Sequence, residues 1–473
     1  MSLDPLRIPD DVWSDTVIRD AVGRRDVGEL FRRISQLTGA SQTRVGAAVG
    51  LEQGYVSRII SGRKVTSIEV LERIADGLRM PDGSRMALGL APRSRTCHQC
   101  MDPSTEQRKS GTPTRQRWRI QVRDATRLWD GDMNRRAVIR GLAFNSVGYA
   151  LPALRWFTAP ADQHIAASGR RVVGTPDIDT IRAMSANYRQ LDNQHGGGHA
   201  RDAVARYLHQ DVAPLLTEGR YEPATGRKLL SAVAELTQLA GWQAYDLAEH
   251  GVAQRYLTVA LDLARAADDV RIGAEIMAAM SHQATYLGHN SAGVELARAA
   301  RETAHRAGSA VLTAEAHVME AHAHAVGGDE KACAKALHLA EQTLDRADRT
   351  GDPQWLGYFD EAYLSAKFAH CFHALGKPVH AERFATRSLR MDERYVRGKS
   401  FNLALLASVQ IQRGEPDRAC AIGAEALALT TTLHSTRAIR YMRDLQDQLS
   451  LYRTRPAVRQ FVNQVDVALA ARR

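Results

Sequence analysis

The sequence predicts an all-α chain: a small N-terminal domain of five short helices, then a long solenoid of stacked helical hairpins. Two observations carry this. Fifteen small residues in the C-terminal half fall into five triplets: Gly241/Ala253/Ala260, Ser281/Gly293/Ala300, Ala321/Cys333/Ala340, Ala369/Ala381/Ser388 and Ala407/Ala419/Ala426. Each triplet is spaced 12 then 7 residues, and the triplets recur 40, 40, 48 and 38 residues apart. Antiparallel helices approach closely only where both carry small side chains, so a small-residue register at this period reads as stacked hairpins. In addition, residues 27–90 break into short segments of helical apolar period, separated by Gly and opened by Ser.

At 473 residues the chain has room for two or three domains. It has no apolar run of about 18 residues, so no membrane span is expected. Asp4, Pro5, Asp10 and Asp11 do not read as a secretory signal. Five cysteines, an odd number, argue against a disulfide framework and for a reducing cytoplasm. The net charge of +10 is compatible with a polyanionic partner.

Taken in order, residues 27–39 place Leu30, Phe31, Ile34 and Leu37 on one apolar stripe. Gly39 ends this helix, and Ser41 is placed to cap the next, 42–49. Gly50 precedes a helix over 52–61, stopped by Gly62. Ser67 opens a further helix through residue 78, with Ile68, Leu71, Ile74 and Ala75 facing inward. Two helices crossing at a tight turn need a small residue at the crossing, supplied by Gly46, and positive φ in the turn, supplied by Gly50. Val45, Val49, Leu51, Val56 and Ile59 provide the apolar contacts that fix the angle.

These residues resemble the helix-turn-helix of the phage-repressor type, the XRE family, over roughly residues 27–80. The resemblance implies that helix 52–61 enters the major groove of double-stranded DNA, N-terminal end first. Gln53 is then placed to pair with adenine and Arg58 with guanine, with Gly54, Tyr55 and Ser57 completing the face. Gln42, Thr43, Arg63 and Lys64 are placed to hold phosphates. Glu52 would repel phosphate unless it accepts from a cytosine or faces the helix N-terminus.

Residues 91–176 read as a basic linker and connecting helices, with Pro92, Pro103 and Pro113 among eight Arg and Lys residues from Arg93 to Arg123. Trp118 and Trp129 are placed to anchor its second half to a neighbouring domain. Cys97-His98-Gln99-Cys100 has half the spacing of a zinc knuckle, but a matching ligand pair is missing, so no metal or other cofactor is expected. Asn134-Arg135-Arg136 imitates a twin-arginine signal at the wrong place in the chain and reads instead as the head of a basic amphipathic helix.

The five triplets resemble the tetratricopeptide repeat family, whose hairpins build a superhelical groove for peptides or small ligands. Residues 177–220 read as lead-in helices around a flexible break at Gln194–His199, within a repeat domain spanning 177–473. Hairpin turns are expected at His250-Gly251, Gly288–Asn290, Gly327-Gly328, Gly376–Pro378 and Gly414–Pro416. The last helices, with Arg437, Arg440, Arg443 and Arg453, read as a solvent-facing cap.

The resemblance implies that the first helix of each hairpin lines the concave face. One position past each leading small residue stand Trp242, His282, His322, His370 and Ser408; six positions before it stand Glu235, Glu275, Glu315, Tyr363 and Phe401. Seven residues apart, the two sets share a helical face. Tyr245 and His373 join it. The imidazoles and carboxylates are either ordinary packing groups or the walls of a ligand groove suited to a cationic or amide-rich molecule. In the second case the histidines are expected to titrate near neutral pH.

Together these features suggest a sequence-specific transcriptional regulator, acting as a homodimer on a palindromic operator and responding to a peptide or small-molecule effector. It resembles the peptide-pheromone receptor regulators and the actinobacterial XRE regulators with repeat domains. The alternative is a protein-interaction adaptor tethered to DNA. No phosphate-binding loop, nucleophile elbow or paired-carboxylate site points to an enzyme.

Overall fold

Capping side chains and left-handed glycines delimit the first helices: α1 (Thr16–Gly23), α2 (Val27–Thr38), α3 (Gln42–Val49), α4 (Gln53–Ile60), α5 (Ile68–Gly77) and α6 (Asp82–Leu88). Asp15 accepts from the amides of Val17 and Ile18, Asp26 from Glu29 and Ser41 from Arg44. Gly39 and Gly50 close α2 and α3 at φ 67° and 64°, where a Cβ is strained. The computed structural model describes residues 8–90, 117–134 and 143–470, apart from 10, 11, 14, 66 and 163. It divides into two units between Lys109 and Ser110. Cys97, Cys100, the basic residues between them and Arg115, and the twin arginines at 135 and 136 lie outside the described residues.

The first unit closes on Phe31, Ile34, Val45, Val56, Ile59 and Ile74, all buried. Leu71 and Ala75 join them, while the side chain of Ile68 lies outside the described residues. Leu37 departs from the expected stripe. It is 44% exposed because the last turn of α2 carries it past the core. Ser67 occupies the cap position of α5 but makes no side-chain capping bond.

The second unit begins with α7 (Arg117–Asn134), which packs against later helices and buries Trp118 and Trp129 in the main core. Asp132 on α7 accepts from Arg201 at 2.5 Å and from the Tyr256 hydroxyl at 2.7 Å. After α8 (Ala150–Thr158), a small sheet is the exception to the helical rule. Strand β3 (Gly219–Tyr221) lies between β1 (Ala167–Ser168), antiparallel, and β2 (Arg171–Val172), parallel. The lead-in helices are α9 (Thr175–His195), α10 (Gly197–Tyr207) and α11 (Ala213–Thr217).

Five antiparallel hairpins follow: α12 (Pro223–Asp246) with α13 (His250–Ala267), α14 (Val270–Tyr286) with α15 (Asn290–Arg306), α16 (Ala310–Val326) with α17 (Glu330–Asp345), α18 (Glu361–Ala374) with α19 (Pro378–Ser388), and α20 (Val396–Gln412) with α21 (Pro416–Thr430). All fifteen register residues are buried. A Cβ on Gly293 would sit 2.3 Å from the Thr285 hydroxyl, which is why the register admits nothing large there. The first turn is not at His250-Gly251, which open α13. It lies at residues 247–249, where Ala248 takes the positive φ (61°) that glycine takes at 288, 328, 376 and 414. The long 48-residue step holds an extra turn, Gln354–Tyr358, pinned by Leu356 and Phe359 in the core and by Arg349 donating to both their carbonyls.

Two expectations change at the ends of the array. The glycine run is a fixed corner: the Gly197 amide donates to Asp246 at 2.8 Å, the Gly198 amide to the His434 carbonyl at 2.8 Å, and a Cβ at 196 or 197 would clash. Helix α22 (Thr436–Gln448) is a solvent-facing cap only in part: Arg440 and Arg443, like Arg453 beyond it, are exposed, but Arg437 is buried and faces inward. Helix α23 (Pro456–Ala470) covers α21 and α22 on the outside. Lead-in helix α9 meets α20, where Arg397 reaches Asp192 at 2.7 Å, and the His434 amide donates to the His195 carbonyl at 2.7 Å. The array therefore closes on itself.

Candidate functional site

Helix α4 is held from below by Val56 and Ile59, both buried, which turns Gln53, Gly54 and Arg58 outward and exposed. Gly46 allows the close crossing: a Cβ there would stand 2.6 Å from the Leu51 carbonyl oxygen. Glu52 is the N-cap residue of α4, beside the positive end of its own helix, but its side chain makes no capping bond there. Thr43, Arg63 and Lys64 are exposed, Gln42 and Ser57 half-buried.

Tyr55 has a part that sequence did not suggest. Its half-buried ring carries the guanidinium of Arg63 at 4.9 Å and that of Arg58 at 5.6 Å, holding both cations on the same face. Gly54 meets nothing within 4 Å of where a Cβ would stand, so packing does not require glycine there, and the surface is smooth enough for a backbone to approach closely.

In the second unit the histidine ladder is continuous. Ring centroids step 5.5 Å from Trp242 to His282, 6.3 Å to His322 and 5.8 Å to His370. The rings lean toward one another, closer than the roughly 10 Å spacing of packed helices. His373 then meets the Ser408 hydroxyl at 2.8 Å, and Ser408 donates to Gln448 at 2.6 Å. Among the described residues no group of three His, Cys, Asp or Glu side chains is arranged to hold a metal ion.

These residues line an inner cavity of about 490 Å³ inside the closed array. Trp242, Glu275, His282, His322, Tyr363, His370, His373 and Phe401 face it, as do Tyr286, Lys367, Arg437 and Tyr441. Glu235 lines instead an outer cavity of about 710 Å³ that shares Arg189, Asn193 and Tyr395 with the inner one. Tyr245 and Glu315 lie one layer behind the wall, Tyr245 beneath the guanidinium of Arg437 at 4.3 Å.

The titration of the site differs from the sequence expectation. Burial pushes His282 and His370 well below the usual imidazole value and His322 down to about 3, so they are neutral at physiological pH. Neutral His282 accepts at Nδ1 from Lys367 Nζ (3.0 Å), which leaves its Nε2 carrying the proton. Burial also lowers Lys367, to about 8. It raises Glu275 and, with Glu275 as neighbour, raises Glu315 further. Tyr358 lies 3.0 Å from Glu275 and 2.6 Å from Glu315. One hydroxyl carries one hydrogen, so it donates to one carboxylate and accepts from the other in its protonated form.

Residues 26–88 match a family model described as a helix-turn-helix domain. These residues form a helix-turn-helix domain. It supports a DNA-binding regulator, and α3 and α4 lie within the matched residues. No curated protein matches the chain. No helix among the described residues is long and apolar enough to cross a membrane.

Several contributors to the cavity went unnoticed in the sequence, Lys367, Tyr358, Arg189 and Arg437 among them. Lys367 was findable, since it lies four residues after Tyr363 and three before His370 and so shares their helical face. Tyr358 comes from the inserted turn, Arg189 from a lead-in helix and Arg437 from α22, all outside the repeat register.

Proposed function

We propose that the chain is a sequence-specific transcriptional regulator of the XRE type, acting in the cytoplasm without chemistry of its own. Its tetratricopeptide-like array binds a small effector in the inner cavity and sets how two helix-turn-helix domains of a homodimer are presented to an operator. The observation that carries this reading is a cavity lined by buried polar atoms without a partner among the described residues, Arg437 Nε and His322 Nδ1 among them, on a chain whose residues 26–88 match a helix-turn-helix domain. Unpaired buried polar atoms cost free energy, and a bound molecule relieves it. An effector acts only by binding one arrangement of the dimer better than another.

The test is operator selection from random duplexes, followed by DNA titrations with and without small molecules that co-purify from the native host. Two half-sites about 34 Å apart and an affinity that shifts with the co-purifying molecule are expected. The pair His322→Ala and Glu315→Gln should blunt that shift and spare DNA binding in its absence. No DNA binding at low ionic strength overturns the reading.

One observation favours the adaptor alternative. Leu151, Leu154 and Phe157 on α8 and Val147 in the turn before it stand exposed, an apolar strip of the kind that meets proteins. DNA binding indifferent to every cavity occupant, with loss of a protein partner on Leu154→Ser, would select it.

A further inference from the structure

We propose that the inner cavity takes a small organic anion with a flat aromatic body, its acidic group received between Lys367 and Arg437. This deepens the sensing reading above and rests on it.

The chamber has aromatic walls and two cations without a close carboxylate among the described residues. Trp242, Tyr286, Tyr363, Phe401 and Tyr441 line it, and stacked or edge-on rings favour a flat apolar guest. Lys367 is 6% exposed; its ammonium donates to His282 Nδ1, and no carboxylate stands within 4.0 Å of it among the described ion pairs. Arg437 is 8% exposed, and its nearest described carboxylate oxygen is on Asp246 at 4.0 Å. Asp246 is already committed, since it accepts from the Gly197 amide at 2.8 Å and from Ser435 at 3.0 Å. Buried cations without a close counter-ion are costly, and an incoming anion that meets both is repaid in charge-assisted bonds.

The acids around the chamber are engaged. Glu275 and Glu315 share Tyr358, Asp192 holds Arg397 at 2.7 Å, and Asp360 accepts from the Tyr363 amide at 2.8 Å. Asp444 has Arg440 as its charged neighbour. A cation entering the chamber finds most acceptors occupied, Asp192 Oδ1 and Glu315 Oε2 being the described exceptions, whereas an anion finds Lys367 and Arg437 without a close carboxylate. The outer cavity repeats the bias: Arg182, Arg189, Arg271 and Arg394 line it against Glu235 and Asp269. Such an approach gathers anions at the mouth.

The experiment titrates the full chain with two fluorescent probes that share one ring skeleton, the anion 1-anilinonaphthalene-8-sulfonate and the uncharged N-phenyl-1-naphthylamine. The sulfonate should bind once per chain, at least about tenfold more tightly than the amine, the range of one charge-assisted bond. Lys367→Met should erase most of that preference and change amine affinity less than about twofold. Arg437→Lys should keep more of the preference than Arg437→Met. The comparison in the unmodified protein needs no variant to fold. Equal affinities, tighter binding of the amine, or a preference untouched by Lys367→Met overturns the anion assignment while leaving a ligand site in place. Failure of both probes to bind overturns the sensing site itself, and this proposal with it.

Discussion

Arg397 on α20 grips Asp192 on α9 at 2.7 Å, joining the last hairpin of the array to the helix that precedes the first. Asp192 is 2% exposed, and Arg397 also approaches Asp246 at 3.9 Å. Removing one partner of a buried pair leaves a charge uncompensated. Arg397→Met should therefore cost about 3–5 kcal/mol, while the double change with Asp192→Leu should recover much of the loss. Chemical unfolding of the two single variants and the double variant measures the coupling.

Acid should weaken the second unit through its buried histidines. Folded His322 has its pKa lowered from 6.5 to about 3, so below 6.5 the unfolded chain binds a proton that the folded chain refuses. Its share of the stability is complete above 6.5 and is lost as pH falls from there toward 3. Between pH 7.5 and 5.0 the parent should lose about 2 kcal/mol more than His322→Gln. Glu275 and Glu315, whose folded pKa values are raised, contribute in the opposite sense, favouring the folded state more at low pH than at high. Denaturant titrations at the two pH values, parent against variant, isolate the histidine because the carboxyl pair is common to both.

The same substitution at two glycines of the helix-turn-helix domain should have opposite signs. At Gly46 a Cβ meets the Leu51 carbonyl oxygen at 2.6 Å, so Gly46→Ala should lower stability by about 1–3 kcal/mol. At Gly54 a Cβ meets nothing, so Gly54→Ala should raise stability by up to about 1 kcal/mol. If α4 lies against DNA there, Gly54→Ala should also weaken operator binding, so thermal melts and DNA titrations should move in opposite directions.

Arg58 and Lys64 should separate sequence reading from charge. Both are exposed. Arg58→Ala should cost about 1–3 kcal/mol on the preferred operator and little on random DNA. Lys64→Ala should weaken both alike and reduce the salt dependence by about one unit of slope. Titrations at several salt concentrations on both duplexes distinguish the two effects.

Where a repeat imposed its period, the sequence was readable. The triplets marked the hairpin interfaces, and offsets from them found the Trp242–His370 ladder, because a face of a helix recurs at fixed spacing. Contacts between residues distant in the chain left no such trace. Nothing local to Arg437 says that it lies over Phe401 at 4.7 Å and Tyr286 at 5.2 Å, nor that Tyr358 sits between two glutamates from different hairpins. The glycines at 196–198 misled for a related reason. Glycine serves loose chain and tight contact equally, and only the neighbours His434 and Asp246 reveal which applies.

The joined ends of the helical array bear on time as well as affinity. If the proposed effector lodges behind Arg397 and Asp192, its way out passes that clasp or the arginine-lined outer cavity. Residence is then governed by how often the ring breathes, so a brief pulse of the compound would leave an imprint that outlasts it.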